Sequence, residues 1–237
     1  MQLFNFLMLL PQEVEGNLIN VLVERFNEGG EYMWPILIVL IIGLAIAFER
    51  IITLNRADIN TRKFILDVKR ALEDGGVAAA EEVCAATRGP VASVFQAGLL
   101  RQDEGIDAVE KAVISYGSIE MSFLERGLVW LALAISLAPM FGFLGTVIGM
   151  VEAFDAIETA GDISPSLVAG GIKVALLTTV FGLIVAIILQ VFYNYAVSKI
   201  DRIVVEMEEA SIELIDSLLL MQAGRPLTAP AASADGN

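Results

Sequence analysis

Thr146, Thr178 and Thr179 are the side chains best suited to handling a proton or a hydrated ion, because each places a hydroxyl inside a long apolar run. A hydroxyl or amide pointing at hydrocarbon without a partner is costly, so these three, with Ser136, Gln190, Tyr193 and Asn194, must face protein or water. Each threonine can also return its proton to a carbonyl one turn earlier, which is the plainer use of any one of them. Thr146 shares a stripe with Gly142, Gly145 and Gly149, which permit close approach of another helix, and Pro139 removes a backbone donor just before that cluster and predicts a kink. Thr179 follows Ala175 and precedes Gly182, giving a second small and polar face. Two such faces serve equally as walls of a narrow pathway or as a packing seam. Glu152 and Lys173 flank these runs and could form a charge filter at the pathway's outer mouth, although a lysine there commonly just reaches the headgroups.

The chemistry available elsewhere is limited. The chain has no histidine and one cysteine, Cys84, which excludes histidine acid/base catalysis, a Ser-His-Asp triad, an intramolecular disulfide and a cysteine-rich metal centre. The runs 128–151 and 174–197 contain no Asp, Glu or Lys, so any carboxylate that carries a proton at mid-membrane must come from a partner helix held against Thr146 and Thr179. An enzyme is not expected, and no metal or cofactor is implied. Gly142, Gly145 and Gly149 follow no strand, so they are packing positions rather than a nucleotide fingerprint.

Three elements must position these residues. Hydrophobic residues make up 56% of the 237, and mean hydropathy is +0.70. The apolar runs 33–54, 128–151 and 174–197 each match the ~20 residues needed to span a bilayer. Glu49 and Arg50 sit near one end of the first run as an interfacial anchor, and Trp34 suits the other. Ten of the 15 basic residues lie from Arg50 to Arg126 and three more follow the third run, which places both regions in the cytoplasm by the positive-inside rule. The segment with Glu152, Asp155, Glu158 and Asp162 has no basic residue before Lys173 and belongs outside, as does the acidic N-terminus. The expected fold is therefore an all-α membrane protein, N-out and C-in, with three transmembrane helices and long helices extending into a cytoplasmic helical domain.

By this division residues 1–32 form an outer, periplasmic amphipathic segment, with Val14, Leu18, Val21, Leu22 and Phe26 at helical spacing and a stop at Gly29-Gly30. The opening residues lack the basic region and cleavage site of a removable signal peptide. Residues 55–127 form the cytoplasmic domain, in helical pieces from Thr61 to Asp74, Val77 to Thr87 and Pro90 to Arg101. A long helix from Ile106, with Val109, Val113, Tyr116 and Leu124 on its apolar face, runs straight into the second span. Residues 152–173 form the periplasmic loop. Residues 198–221 continue the third span, carrying Ile200, Ile203, Val204, Met207, Ser211, Leu214, Leu218 and Leu219 on a stripe that needs a partner. Residues 222–237 are too small and polar to pack and read as a disordered tail.

The stretches APMFGFLGTVIGMVEAF (138–154) and GGIKVALLTTVFGLIVAI (170–187) resemble the second-span and third-span signatures of ExbB, TolQ and the MotA-related stators. With the three-span plan, the resemblance to the MotA/TolQ/ExbB proton channel family covers roughly residues 30 to 220, and it is nearer to the three-span ExbB/TolQ type than to four-span flagellar stators. It implies an inner-membrane homopentamer around an ExbD/TolR-like single-span protein that supplies an intramembrane Asp. The complex would use the proton motive force, through a TonB/TolA-like energy transducer, to energise TonB-dependent outer-membrane transport or Tol-like envelope maintenance. The implied ion is H+, with Na+ as the alternative. The family's pore threonines match Thr146 and Thr179, and its packing positions match Pro139, Gly142, Gly145 and Gly182. The chain departs from the ExbB branch at Lys173-Val174, where that branch carries a glutamate. A reading of another class is a non-conducting membrane scaffold whose polar face only packs.

Overall fold

A computed structural model describes residues 18–161 and 164–227, which are helical apart from short turns, with no strand among them. The N-terminal part of the outer amphipathic segment, including Val14, lies outside the described residues, as do residues 162–163 and 228–237. The helices, in chain order, are α1 (Leu18–Glu28), α2 (Met33–Ala57), α3 (Thr61–Ala86), α4 (Pro90–Leu99), α5 (Ile106–Glu125), α6 (Leu128–Ala160) and α7 (Pro165–Gln222). A 3₁₀ turn, Gln102–Glu104, separates α4 from α5. Contacts divide the chain into two compact units, one of residues 1–47 and 130–193 and the other of residues 48–129 and 194–237.

Among the described residues three helices are long and apolar enough to cross a membrane. The 25 residues of α2 reach ~37 Å at ~1.5 Å per residue, enough for ~30 Å of hydrocarbon. Met33, Ile36, Leu131, Ala138 and Leu189 are buried where α2, α6 and α7 meet. Large apolar side chains on the outward faces, such as Ile41, Phe143 and Leu176, remain exposed, as lipid or partner contact requires. α1 stops where expected: Gly30 takes a φ of 71°, and the Gly29 N–H donates to the Arg25 carbonyl at 3.1 Å. Phe26 then meets Trp34 edge to face, with ring centroids 5.5 Å apart. Segment 152–173 is helical at both ends, since α6 extends to Ala160 and α7 starts at Pro165, whose fixed φ and missing N–H suit a helix start.

The second unit packs its own core. Phe64, Val68, Leu72, Phe95, Val109, Val113, Met207, Leu214 and Leu218 are buried together, and Phe64 meets Phe95 at 5.1 Å. Asn60 caps α3 by accepting from the Lys63 N–H at 3.0 Å. The expected stop at Gly75-Gly76 is a break at Gly76 (φ 70°, ψ −161°), after which helix resumes at once. The stripe that follows the third run thus finds partners within the chain on α3, α4 and α5, although Leu219 faces outward. Polar ties fasten the same elements: Lys69 to Glu213 at 2.6 Å, the Thr61 hydroxyl to Glu206 at 2.8 Å, and Asp58 to both Lys199 and Arg202. Cys84 is buried in this core, and desolvation, with a smaller push from Glu81, raises its thiol to about 12.

Three expectations are corrected here. The helix from Ile106 does not run straight on: it ends at Glu125, Arg126 turns to ψ 128°, and Gly127 takes φ 93° before α6 begins. A side chain at Gly127 would crowd the buried Arg50 guanidinium, whose Nε would lie 3.2 Å from the new Cβ. Tyr116, expected on the apolar face of α5, is 45% exposed; the buried residues of that helix are Val109, Val113 and Leu124. The tail does not begin at residue 222: beyond α7 the chain turns at Gly224 (φ 65°) and returns Leu227 to the core, 8% exposed.

Candidate ion pathway

The glycines of the first unit form a seam between the chain's own helices. A Cβ built on Gly142 would stand 2.8 Å from the Thr178 carbonyl oxygen, one on Gly149 2.8 Å from that of Gly171, and one on Gly182 2.6 Å from that of Ala138. These are closer than a methyl group can stand, so only glycine lets α6 and α7 touch backbone to backbone. Gly145 accommodates the Thr178 side chain instead. The helical backbone runs on through Pro139, which is half-buried. The small residues chosen from spacing are therefore brought together as a packing seam.

Along this seam the threonines separate into two kinds. Thr178 is fully enclosed by its own chain; its hydroxyl lies 2.9 Å from the Ala175 carbonyl, 3.1 Å from that of Val174 and 3.3 Å from that of Gly142. Thr146 and Thr179 are only partly buried, at the margin of the seam. The Thr146 hydroxyl donates to the Phe143 carbonyl at 2.5 Å, and the Thr179 hydroxyl donates across to the Gly142 carbonyl at 3.3 Å. With their single protons so placed, each hydroxyl oxygen keeps lone pairs that can accept a hydrogen bond. Their helix-face neighbours are exposed and apolar: Phe143 and Met150 beside Thr146, Leu176 and Leu183 beside Thr179. Ser136 donates back to Ala132 at 3.1 Å, the local use its type allows.

Glu152 and Lys173 are both exposed, and each has a partner other than the other. Lys173 Nζ donates to Glu28 Oε1 at 2.5 Å, tying α1 to α7, and Arg25 also holds Glu28, at 2.7 Å. The Glu28 carboxyl is held below its ordinary range by the Lys173 hydrogen bond first and Arg25 after it. Tyr32 reaches Glu152 at 3.5 Å, and burial together with the Glu152 and Glu31 charges pushes its phenol up. Neither the Glu28 contact with Lys173 nor the Tyr32 contact with Glu152 was anticipated from sequence. Glu28 sits three residues after Arg25, a local signal for an ion pair but not for a contact with a lysine 145 positions on. Glu49 and Arg50 pair bidentately at 2.7 and 2.6 Å, away from the threonines in sequence and in unit.

Three helices of bilayer-spanning length, two of them (α6 and α7) sealed along glycines with partly buried threonine hydroxyls at the margin, define a polytopic helical membrane protein. The chain belongs to the MotA/TolQ/ExbB proton channel family, whose model matches residues 86–209. It is 35% identical over 207 residues to an ExbB homolog from Methanothermobacter thermautotrophicus, covering 85% of this chain and 70% of that protein. It is likewise 35% identical over 115 residues to the Tol-Pal system protein TolQ of Pseudomonas aeruginosa (44% of this chain, 50% of the relative). A third relative, the biopolymer transport protein ExbB of Aquifex aeolicus, is 35% identical over 85 residues (36% and 57%). The chain is thus a multi-pass inner-membrane protein and a proton-channel motor subunit rather than an enzyme.

Proposed function

We propose that this subunit conducts H+ through a pathway it shares with an ExbD/TolR-like single-span partner, and that the resulting motor energises TonB-dependent transport across the outer membrane. The observation that carries this reading is the placement of Thr146 and Thr179, two partly buried hydroxyls beside exposed apolar side chains, in spans that hold no acid of their own. Their lone pairs suit a protonated carboxyl group, so the partner's intramembrane Asp carries the proton and the threonines accept from it or from the water beside it. The exposed apolar faces around them are covered by that partner and by further copies in a homopentamer. The chain lies N-out and C-in, with the Arg50–Arg126 region in the cytoplasm. Similarity to TolQ supports a second role for the same machinery, Tol-like maintenance of the envelope.

The test is proton uptake by liposomes containing the subunit and its single-span partner, read with an enclosed pH dye. Thr146→Val, Thr179→Val and Asp→Asn in the partner each lower partner-dependent flux by about tenfold or more while the complex still assembles. Wild-type flux in all three would sink the shared pathway, and an assembled complex that carries no flux under an imposed gradient would make the subunit a scaffold.

A further inference from the structure

The Gly142 carbonyl is the meeting point of the three threonines. Within α6 it accepts the Thr146 N–H, as i to i−4 helix geometry requires, which occupies one of its two lone pairs. The other is within reach of two hydroxyls, those of Thr178 and Thr179, each at 3.3 Å. A hydroxyl carries one proton, and the two protons cannot both use that lone pair well. Thr178 has other acceptors: the Ala175 carbonyl at 2.9 Å and the Val174 carbonyl at 3.1 Å. Moving its proton from Ala175 to Gly142 needs only rotation about its C–O bond, since all three oxygens surround one fixed, fully buried Oγ1.

We propose that Thr178 is a positioning residue for proton passage, setting whether the neighbouring Thr179 hydroxyl offers a lone pair or a proton to the pathway. With Thr178 donating to Ala175, Thr179 donates to Gly142 and can only accept from the pathway. With Thr178 donating to Gly142, the Thr179 proton is released from that carbonyl and turns outward, so Thr179 can donate to a water or a carboxylate. Thr178 itself neither gains nor loses a proton, and no bond to it is made or broken; it changes acceptor. The enclosure that removes Thr178 from the pathway also keeps water from offering its hydroxyl a competing partner. This rests on the reading that Thr179 lines the ion pathway.

The experiment compares partner-dependent proton flux in liposomes for wild type, Thr178→Val, Thr178→Ser, Thr178→Ala and Thr179→Val, with assembly of each complex followed by its elution volume. Val keeps the shape and loses the hydroxyl; Ser keeps the hydroxyl and loses the methyl group. The expected result is flux lowered about fivefold or more in Thr178→Val and Thr178→Ala, the factor one hydrogen bond is worth, and within about twofold of wild type in Thr178→Ser. Wild-type flux in an assembled Thr178→Val or Thr178→Ala complex overturns the proposal, and so does Thr178→Ser as low as Thr178→Val, which is the pattern of a packing role. Should Val prevent assembly, Ala and Ser decide between the same outcomes. Loss of flux in Thr179→Val beside unchanged Thr178 variants overturns this inference alone, whereas unchanged flux in Thr179→Val overturns the pathway reading beneath it.

Discussion

The Leu227 N–H donates to Glu73 Oε1 at 2.9 Å, joining the last described residue to the middle of α3, 154 positions earlier. The leucine side chain enters the core of the second unit beside it. Leu227→Ala should cost roughly 2 kcal/mol, the low end for a leucine truncated in a core, because this site lies at the core's margin. Removal of residues 223–237 should cost at least as much. Thermal unfolding of the purified subunit checks both.

Asp58 accepts from Lys199 and Arg202, and the Lys199 hydrogen bond, ahead of the Arg202 charge, holds its carboxyl below the ordinary aspartate range. The folded value lies below the unfolded one, so this contribution to stability is complete above pH ~4 and fades as pH falls through the folded value. Asp58→Asn should therefore lower stability by ~1 kcal/mol at pH 7 and by progressively less in acid. Denaturation midpoints of the two proteins, measured from neutral pH downward, should converge.

Glu28 and Lys173 make an exposed counterpart. Lowering the pH through the depressed Glu28 value should free α1 from α7, seen as faster amide exchange over residues 18–28 after correction for the intrinsic rate. Lys173→Gln should give that faster exchange already at pH 7. The charge swap, Glu28→Lys with Lys173→Glu, should recover much of the protection.

Gly182→Ala places a methyl group 2.6 Å from the Ala138 carbonyl, which the α6–α7 seam cannot absorb without parting. A loss of about 1–3 kcal/mol, with impaired assembly, is expected. Gly170→Ala is the control: nothing stands within 4 Å of its new Cβ, and exchanging glycine for alanine in a helix should add ~0.5–1 kcal/mol of stability. Melting temperatures of the two variants should move in opposite directions.

The three spans were legible because runs of apolar residues above bilayer length have few other uses, and the structure confines them to α2, α6 and α7. The break at Arg126-Gly127 was not, since one glycine in a periodic pattern is tolerated in a helix, and here its φ of 93° answers to Arg50, more than 70 residues away in sequence. Leu227 was hidden by its polar surroundings: a single apolar residue carries no period. At the candidate site, Thr146 and Thr179 stood out as hydroxyls among apolar residues. What separates Thr178 from Thr179 is one step of ~100° around α7, and its meaning depends on which side of α7 meets Gly142 and Gly145.

Cys84 opens a practical route into this protein. The thiolate is the form that reacts, and a buried thiol raised to about 12 supplies almost none of it at neutral pH. The native chain is in effect already cysteine-silent toward maleimides. A spin label or fluorophore attached through Thr146→Cys or Thr179→Cys would report from those positions alone, with no background substitution needed and the core around residue 84 left intact.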